Sequence, residues 1–138
     1  MEESPVADLL AAIDKLDVDA VLALCAPDCS LMTADGGHAD GKHEVGRLMT
    51  EFLATLRSTS HEITAQWHQE DEWIAEVLAS YELQDWLRLE HLPRAFFVRT
   101  GPAGVRDVRV YGANERQLGD RVSGQEPMRI GGRLVLPL

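Results

Sequence analysis

The chain is poor in cysteine, in long apolar runs and, over its first two thirds, in basic residues. Its two cysteines, Cys25 and Cys29, stand four apart around Pro27. That is too few for a disulfide framework, and no second pair completes a zinc site. At the end of a helix they read as small buried hydrophobes. No apolar stretch approaches the roughly 20 residues of a membrane-spanning helix. The opening MEESPVADLL is acidic and lacks the basic and long apolar regions of a secretory signal, so a cytoplasmic protein is expected. G-x-G-x-x-G, phosphate-loop and G-x-S-x-G patterns are missing as well, so no nucleotide cofactor and no serine elbow are indicated.

Net charge is −10, which argues against a nucleic acid or an anionic membrane as partner. The charge is uneven: residues 1–92 hold 5 Lys+Arg against 19 Asp+Glu, and residues 93–138 hold 8 Arg against 4 acids. The arginine-rich end either lies against the acidic part, in the same chain or a partner, or consists of solvated strand-face arginines. With 138 residues and 45% hydrophobic composition, the chain fits one globular domain with an ample core.

Periodicity then organises the chain. SPVADLLAAIDKL carries Val6, Leu9, Leu10, Ile13 and Leu16 at helical spacing, with Ser4 as cap and Pro5 in the first turn. Asp17 can cap a second helix, VDAVLALCA, which Pro27 helps end. A short strand, CSLMTA, precedes the Gly- and Asp-rich loop or hairpin DGGHADGK. HEVGRLMTEFLATL places Val45, Leu48, Met49, Phe52, Leu53 and Leu56 on one stripe of a third helix. From His61 the period becomes two. HEITAQWH, WIAEVLASYEL, LRLEHLPRAFFVRT and VRDVRVYG read as strands, separated by QEDE, a turn near Gln84–Trp86, and GPAG. Helices followed by consecutive antiparallel strands predict an α+β fold with the helices on one face of a curved sheet.

The end is separable. GDRVSGQEP reads as a linker, and MRIGGRLVLPL as a hairpin turning at Gly131-Gly132. The expected division is a domain over 1–118 and an extension over 119–138. An isolated hairpin is marginal in water, so it is expected to dock on its own sheet or on a second subunit.

Several local patterns occur in a telling order. They are Asp40-Gly41 before the third helix, His61 opening HEITAQW, the AEVLASYE strand, Pro93 ahead of a strand, and VRVYG near the end of the sheet. Over roughly Pro5 to Leu118 the chain resembles the nuclear-transport-factor-2-like superfamily, more narrowly its SnoaL-like branch. The resemblance implies a cone-shaped, cystatin-like α+β barrel: a curved mixed or antiparallel sheet wraps the helices and a cavity opens at one end. It implies relatives that are ketosteroid isomerases, polyketide cyclases, dehydratases, epoxide hydrolases or non-catalytic, and homodimers through the outer sheet face. It brings Arg109 and Tyr111 onto the family's arginine and tyrosine positions. Many relatives carry an aspartate soon after that tyrosine, where this chain has Gly112 and Asn114.

Candidate site residues follow. Asp107, Arg109 and Tyr111 share one face of a strand whose other face carries Val108 and Val110. If that face lines the cavity, Tyr111 donates to a ligand oxygen, Arg109 binds a carboxylate or enolate, and Asp107 is a general base. Otherwise it meets solvent or a partner. Glu76 sits in an apolar strand with Ile74, Leu78 and Ser80, where it is expected to be partly buried, as a tuned acid or in an ion pair. His61 shares an alternation with Ile63, Ala65 and Trp67, as a core histidine or a pocket base. Trp67 is expected in the core or cavity wall, and Trp86 at the cavity mouth or a dimer contact. His91 is expected at the rim. Phe52, Tyr81 and Phe97 complete the candidate ligand contacts. His38, His43, Asp35 and Asp40 match no metal-ligand spacing, so a polar loop and no metal are expected.

Two functions compete on these residues. One is a cofactor-independent isomerase, cyclase or dehydratase acting on a small, mostly apolar carbonyl compound. The other is a non-catalytic ligand-binding or dimeric association module of the same fold.

Overall fold

The computed structural model describes residues 4–112 and the backbone of 128–130 and 133–135. Three helices come first: α1 (Pro5–Asp14), α2 (Val18–Ala23) and, after two strands, α3 (Lys42–Leu53). Ser4 and Asp17 cap α1 and α2, their side chains accepting from Ala7 N and Ala20 N. The strands are β1 (Cys25–Met32), β2 (His38–Asp40), β3 (Leu56–Gln69), β4 (Glu72–Leu83), β5 (Arg88–Gly101) and β6 (Gly104–Tyr111). They form one mixed sheet in the order β2-β1-β6-β5-β4-β3. β1 runs parallel to β6, and every other pair in the sheet is antiparallel. The sheet is open, with β2 and β3 as edges. Register shifts in four of its five strand pairs supply the bends that curve it. No helix of the described residues is long and apolar enough to cross a membrane.

The helices pack on the inner, concave face. Val6, Leu9 and Leu10 of α1 and Val45, Met49 and Leu53 of α3 bury against Ala75, Val77 and Ala79 of β4, Phe96 and Val98 of β5, and Val105 and Val108 of β6. Each strand alternates, so the opposite residues face outward. At the C-terminus, β7 (Met128–Ile130) and β8 (Arg133–Val135) pair antiparallel as the expected hairpin. The linker and the division at 118 fall outside the described residues.

Some boundaries differ from expectation. Cys25 and Cys29 belong to β1 rather than to the end of α2, because the strand begins before Pro27 and a bulge accommodates it. Both are buried free thiols. Burial pushes the Cys25 thiol up to about 12, and burial raises Cys29 too. Leu56 starts β3 instead of extending α3. Of the late arginines, Arg99 pairs with Glu72 at 2.8 Å and Arg106 with Asp28 at 3.7 Å, so part of the basic end does lie against the acidic part.

Candidate functional site

Helix α1 is tied to β3 at both ends. The Ser4 hydroxyl bonds Gln66, and Asp14 bonds His61. The lengths match. Ten helical residues span roughly 15 Å, and the five-residue step from His61 to Gln66 spans roughly 17 Å of strand. The helix therefore lies antiparallel along β3 and delivers its last residue to His61.

Asp14 grips residue 61 with both oxygens. Oδ2 accepts from the His61 backbone N–H at 3.2 Å, and Oδ1 lies 2.6 Å from ring Nδ1. A carboxylate only accepts, so Nδ1 is the protonated nitrogen. Nε2, the lone-pair nitrogen of the neutral ring, makes no hydrogen bond among the described residues. The imidazole is 2% exposed and Asp14 29%. Tyr81 and Phe96 hold the ring edge-on at centroid distances of 6.0 and 6.2 Å, and Phe52 stacks edge-on against Tyr81. An oriented imidazole whose Nε2 has no hydrogen-bond partner among the described residues is the arrangement of a general base. Asp14 also breaks a local rule. It is an acid at a helix C-terminus, where the dipole favours a cation, and the last turn has no basic residue.

Two residues along β3, Thr59 is also buried. Among the described residues, its Oγ1 is the buried side-chain polar atom left without a hydrogen-bond partner.

Asp107, Arg109 and Tyr111 lie on the outer face. Asp107 accepts from Ser30 and from Arg109 Nε. Hydrogen bonding with Tyr111 and then Asp107 raises the already high pKa of Arg109 further. Arg109 pairs with Asp107 at 3.1 Å on a face where Arg109 and Tyr111 are well exposed. Glu76 is exposed on the same face, not partly buried as expected. Trp73, Ala75, Val77 and Ala79 take the inward positions of its strand, which turns Ile74, Glu76 and Leu78 outward. Glu76 and Tyr111 both line a shallow open groove of about 440 Å³, with Thr64, Leu78, Pro93 and Ala95.

The candidate ligand contacts divide. Phe52, His61 and Tyr81 come together inside. Trp67 and Phe97 do not join them. A bulge between Ile63 and Ala65 reverses the alternation of β3, so His61 and Ile63 face in while Ala65 and Trp67 face out. Trp67 is therefore 52% exposed instead of lying in the core. Phe97 sits outside, edge-on to Tyr111 at 5.4 Å. Trp86, in the β4–β5 turn with φ +71°, is covered on one side by the Arg57 guanidinium at 3.3 Å. His91 is exposed, in a left-handed conformation opposite Ser80, whose hydroxyl takes its backbone N–H.

Gly112 has a physical partner. A Cβ there would lie 2.7 Å from Pro93 O and 2.8 Å from Arg94 Nη1, on a backbone with φ +148°. The buried Arg94 side chain occupies the space beside it. Sequence reasoning missed Asp14, Thr59 and Arg94. The signal for Asp14 was its unfavourable helix position.

Comparison with known proteins fits this geometry. A SnoaL-like domain model matches residues 6–113. No curated protein matches. Among solved structures, a protein of ketosteroid isomerase-like fold from Catenulispora acidiphila, in complex with trimethylamine, superposes with a TM-score of 0.76 at 17% identity, over 86% of this chain and 92% of that one. TerC co-crystallised with polyporic acid gives 0.71 at 9% identity, over 87% and 96%. An epoxide hydrolase-like protein of M. tuberculosis gives 0.68 at 15%, over 86% and 92%. At such identities these likenesses establish the fold, and the domain match establishes the family: the chain belongs to the SnoaL-like proteins.

Proposed function

We propose that the chain is a cofactor-independent acid–base enzyme, of the isomerase, cyclase or dehydratase kind, acting on a small, mostly apolar carbonyl compound. His61 is the base, and Asp14 fixes its tautomer and steadies the imidazolium that forms. The observation that carries this reading is the two-oxygen grip of Asp14 on residue 61 beneath the helices. The aromatic surroundings favour an apolar substrate, and structural neighbours that hold polyporic acid or resemble an epoxide hydrolase support small organic ligands. This narrows the base from Glu76, Asp107 or His61 to His61.

A ketone probe tests it. Acetophenone in D₂O should exchange its α-protons faster with the protein than without it. His61→Gln should lower that acceleration by about 100-fold or more. If wild type gives no acceleration, the non-catalytic binding reading replaces this one.

The outer face supports a second, compatible reading, a homodimer. Trp67, Ile74 and Phe97 are direct neighbours across β3, β4 and β5, and each is substantially exposed with Tyr111 beside them. Phe97→Asp should convert a sedimenting dimer to a monomer. A wild-type monomer would contradict the dimer.

A further inference from the structure

We infer that the Thr59 hydroxyl is a ligand-anchoring group that donates to the oxygen of a small ketone whose α-proton faces His61. The inference rests on the acid–base reading above. Thr59 is 8% exposed, and its Oγ1 has no hydrogen-bond partner among the described residues. Buried hydroxyls are nearly always paired, and one that is not calls for a reason. Packing supplies none, because valine has the same shape and would leave nothing unsatisfied.

Placement supplies the reason. Thr59 lies opposite Tyr81 and His61 opposite Ala79, with no register shift between them. Both side chains therefore face inward, one alternation step apart, roughly 7 Å along the strand. A hydrogen bond of about 2.8 Å from Thr59 to the oxygen and a near-attack contact of roughly 3–3.5 Å from His61 to the α-carbon let a group as short as a carbonyl and its α-carbon bridge them. The residue opposite His61 is the small Ala79. Tyr81 and Phe96 pack edge-on against His61, and Phe52 against Tyr81, an aromatic setting that suits an aryl or alicyclic ketone.

The step balances without a further reactant. The α-C–H bond breaks and its proton passes to His61 Nε2. The freed electron pair forms the carbon–carbon double bond, and the carbonyl π pair moves onto oxygen. The imidazolium faces the Asp14 carboxylate, and the enolate oxygen accepts from Thr59. Return of the proton to another carbon completes isomerisation; where the Nε2 proton first swaps with a solvent deuteron, delivery of that deuteron to the same carbon completes exchange.

The full-length protein with acetophenone in D₂O tests this. Thr59→Val should lower the turnover of α-proton exchange by about tenfold or more, with KM changed less, because the bond strengthens as charge develops on oxygen. Thr59→Ser should stay within a few-fold of wild type. The unliganded Thr59→Val protein should melt at or above the wild-type temperature, since an unpaired hydroxyl is removed. Exchange by Thr59→Val at the wild-type rate, while His61→Gln is inactive, overturns the anchor and leaves the base intact. Loss of both exchange and melting temperature in Thr59→Val, unrescued by serine, assigns Thr59 a structural role and overturns the anchor. Absence of exchange in wild type overturns base and anchor together.

Discussion

The two faces of one sheet carry similar chemistry in different settings. Outside, Asp107, Arg109 and Tyr111 alternate along a single strand, and Arg109 bonds Asp107 in contact with water. Inside, Asp14 and His61 come from elements 47 residues apart and meet under the helices, with the imidazole 2% exposed. An exposed ladder is screened and forms at little cost. A buried imidazole paired with a half-buried carboxylate must overcome desolvation and is held by well-made hydrogen bonds. Polar residues that alternate along a strand are therefore weak indicators of a site. A polar pair that breaks helix-end preference to reach a buried ring is a strong one.

The contrast can be broken from the inside first. Asp14→Ala should cost about 3 kcal/mol in urea denaturation, because it strands two buried donors, His61 Nδ1–H and its backbone N–H. It should also remove most of the ketone exchange. Gly112→Asp, which restores the acid that relatives often carry, should cost about 2 kcal/mol in thermal melting. Its side chain would press on Pro93 O and Arg94 over a backbone with φ +148°, and it should add no activity.

Next comes pH. The folded Cys25 thiol is raised from 9.0 to about 12, chiefly by burial, so folding favours its neutral form. That contribution is fully present below about pH 9 and is lost as pH rises toward about 12. Urea midpoints should fall across this window, and Cys25→Ala should flatten the fall. The raised pKa of Arg109 has no such consequence, because its guanidinium is charged throughout that range. The smallest effect is outside: Arg109→Ala should change stability by less than about 1 kcal/mol and leave exchange within about twofold.

Much of the architecture was legible. Helix periodicity, the Ser4 and Asp17 caps, the turns at QEDE, near Gln84–Trp86 and at GPAG, and the terminal hairpin all lie where spacing puts them. The order of helices and strands already pointed to a curved sheet with helices on one face, and the family resemblance narrowed it to a cystatin-like fold. The site was less legible, for two physical reasons. A single bulged residue near Thr64 reverses which face each later side chain of β3 occupies, and no period-two pattern reveals it. That moved Trp67 out and left His61 in. The partner of His61 was hidden because sequence spacing carries no information about a contact between a helix end and a distant strand. The resemblance drew attention to Arg109 and Tyr111, which lie on the outer face, and to the missing acid at Gly112, whose place beside Arg94 has no room for one.

The most direct test is the protonation of the His61 ring, read from long-range ¹H–¹⁵N couplings in the free protein near neutral pH. The expected result is a proton on Nδ1, held by Asp14, and none on Nε2. A proton on Nε2 with a bare Nδ1 would contradict it.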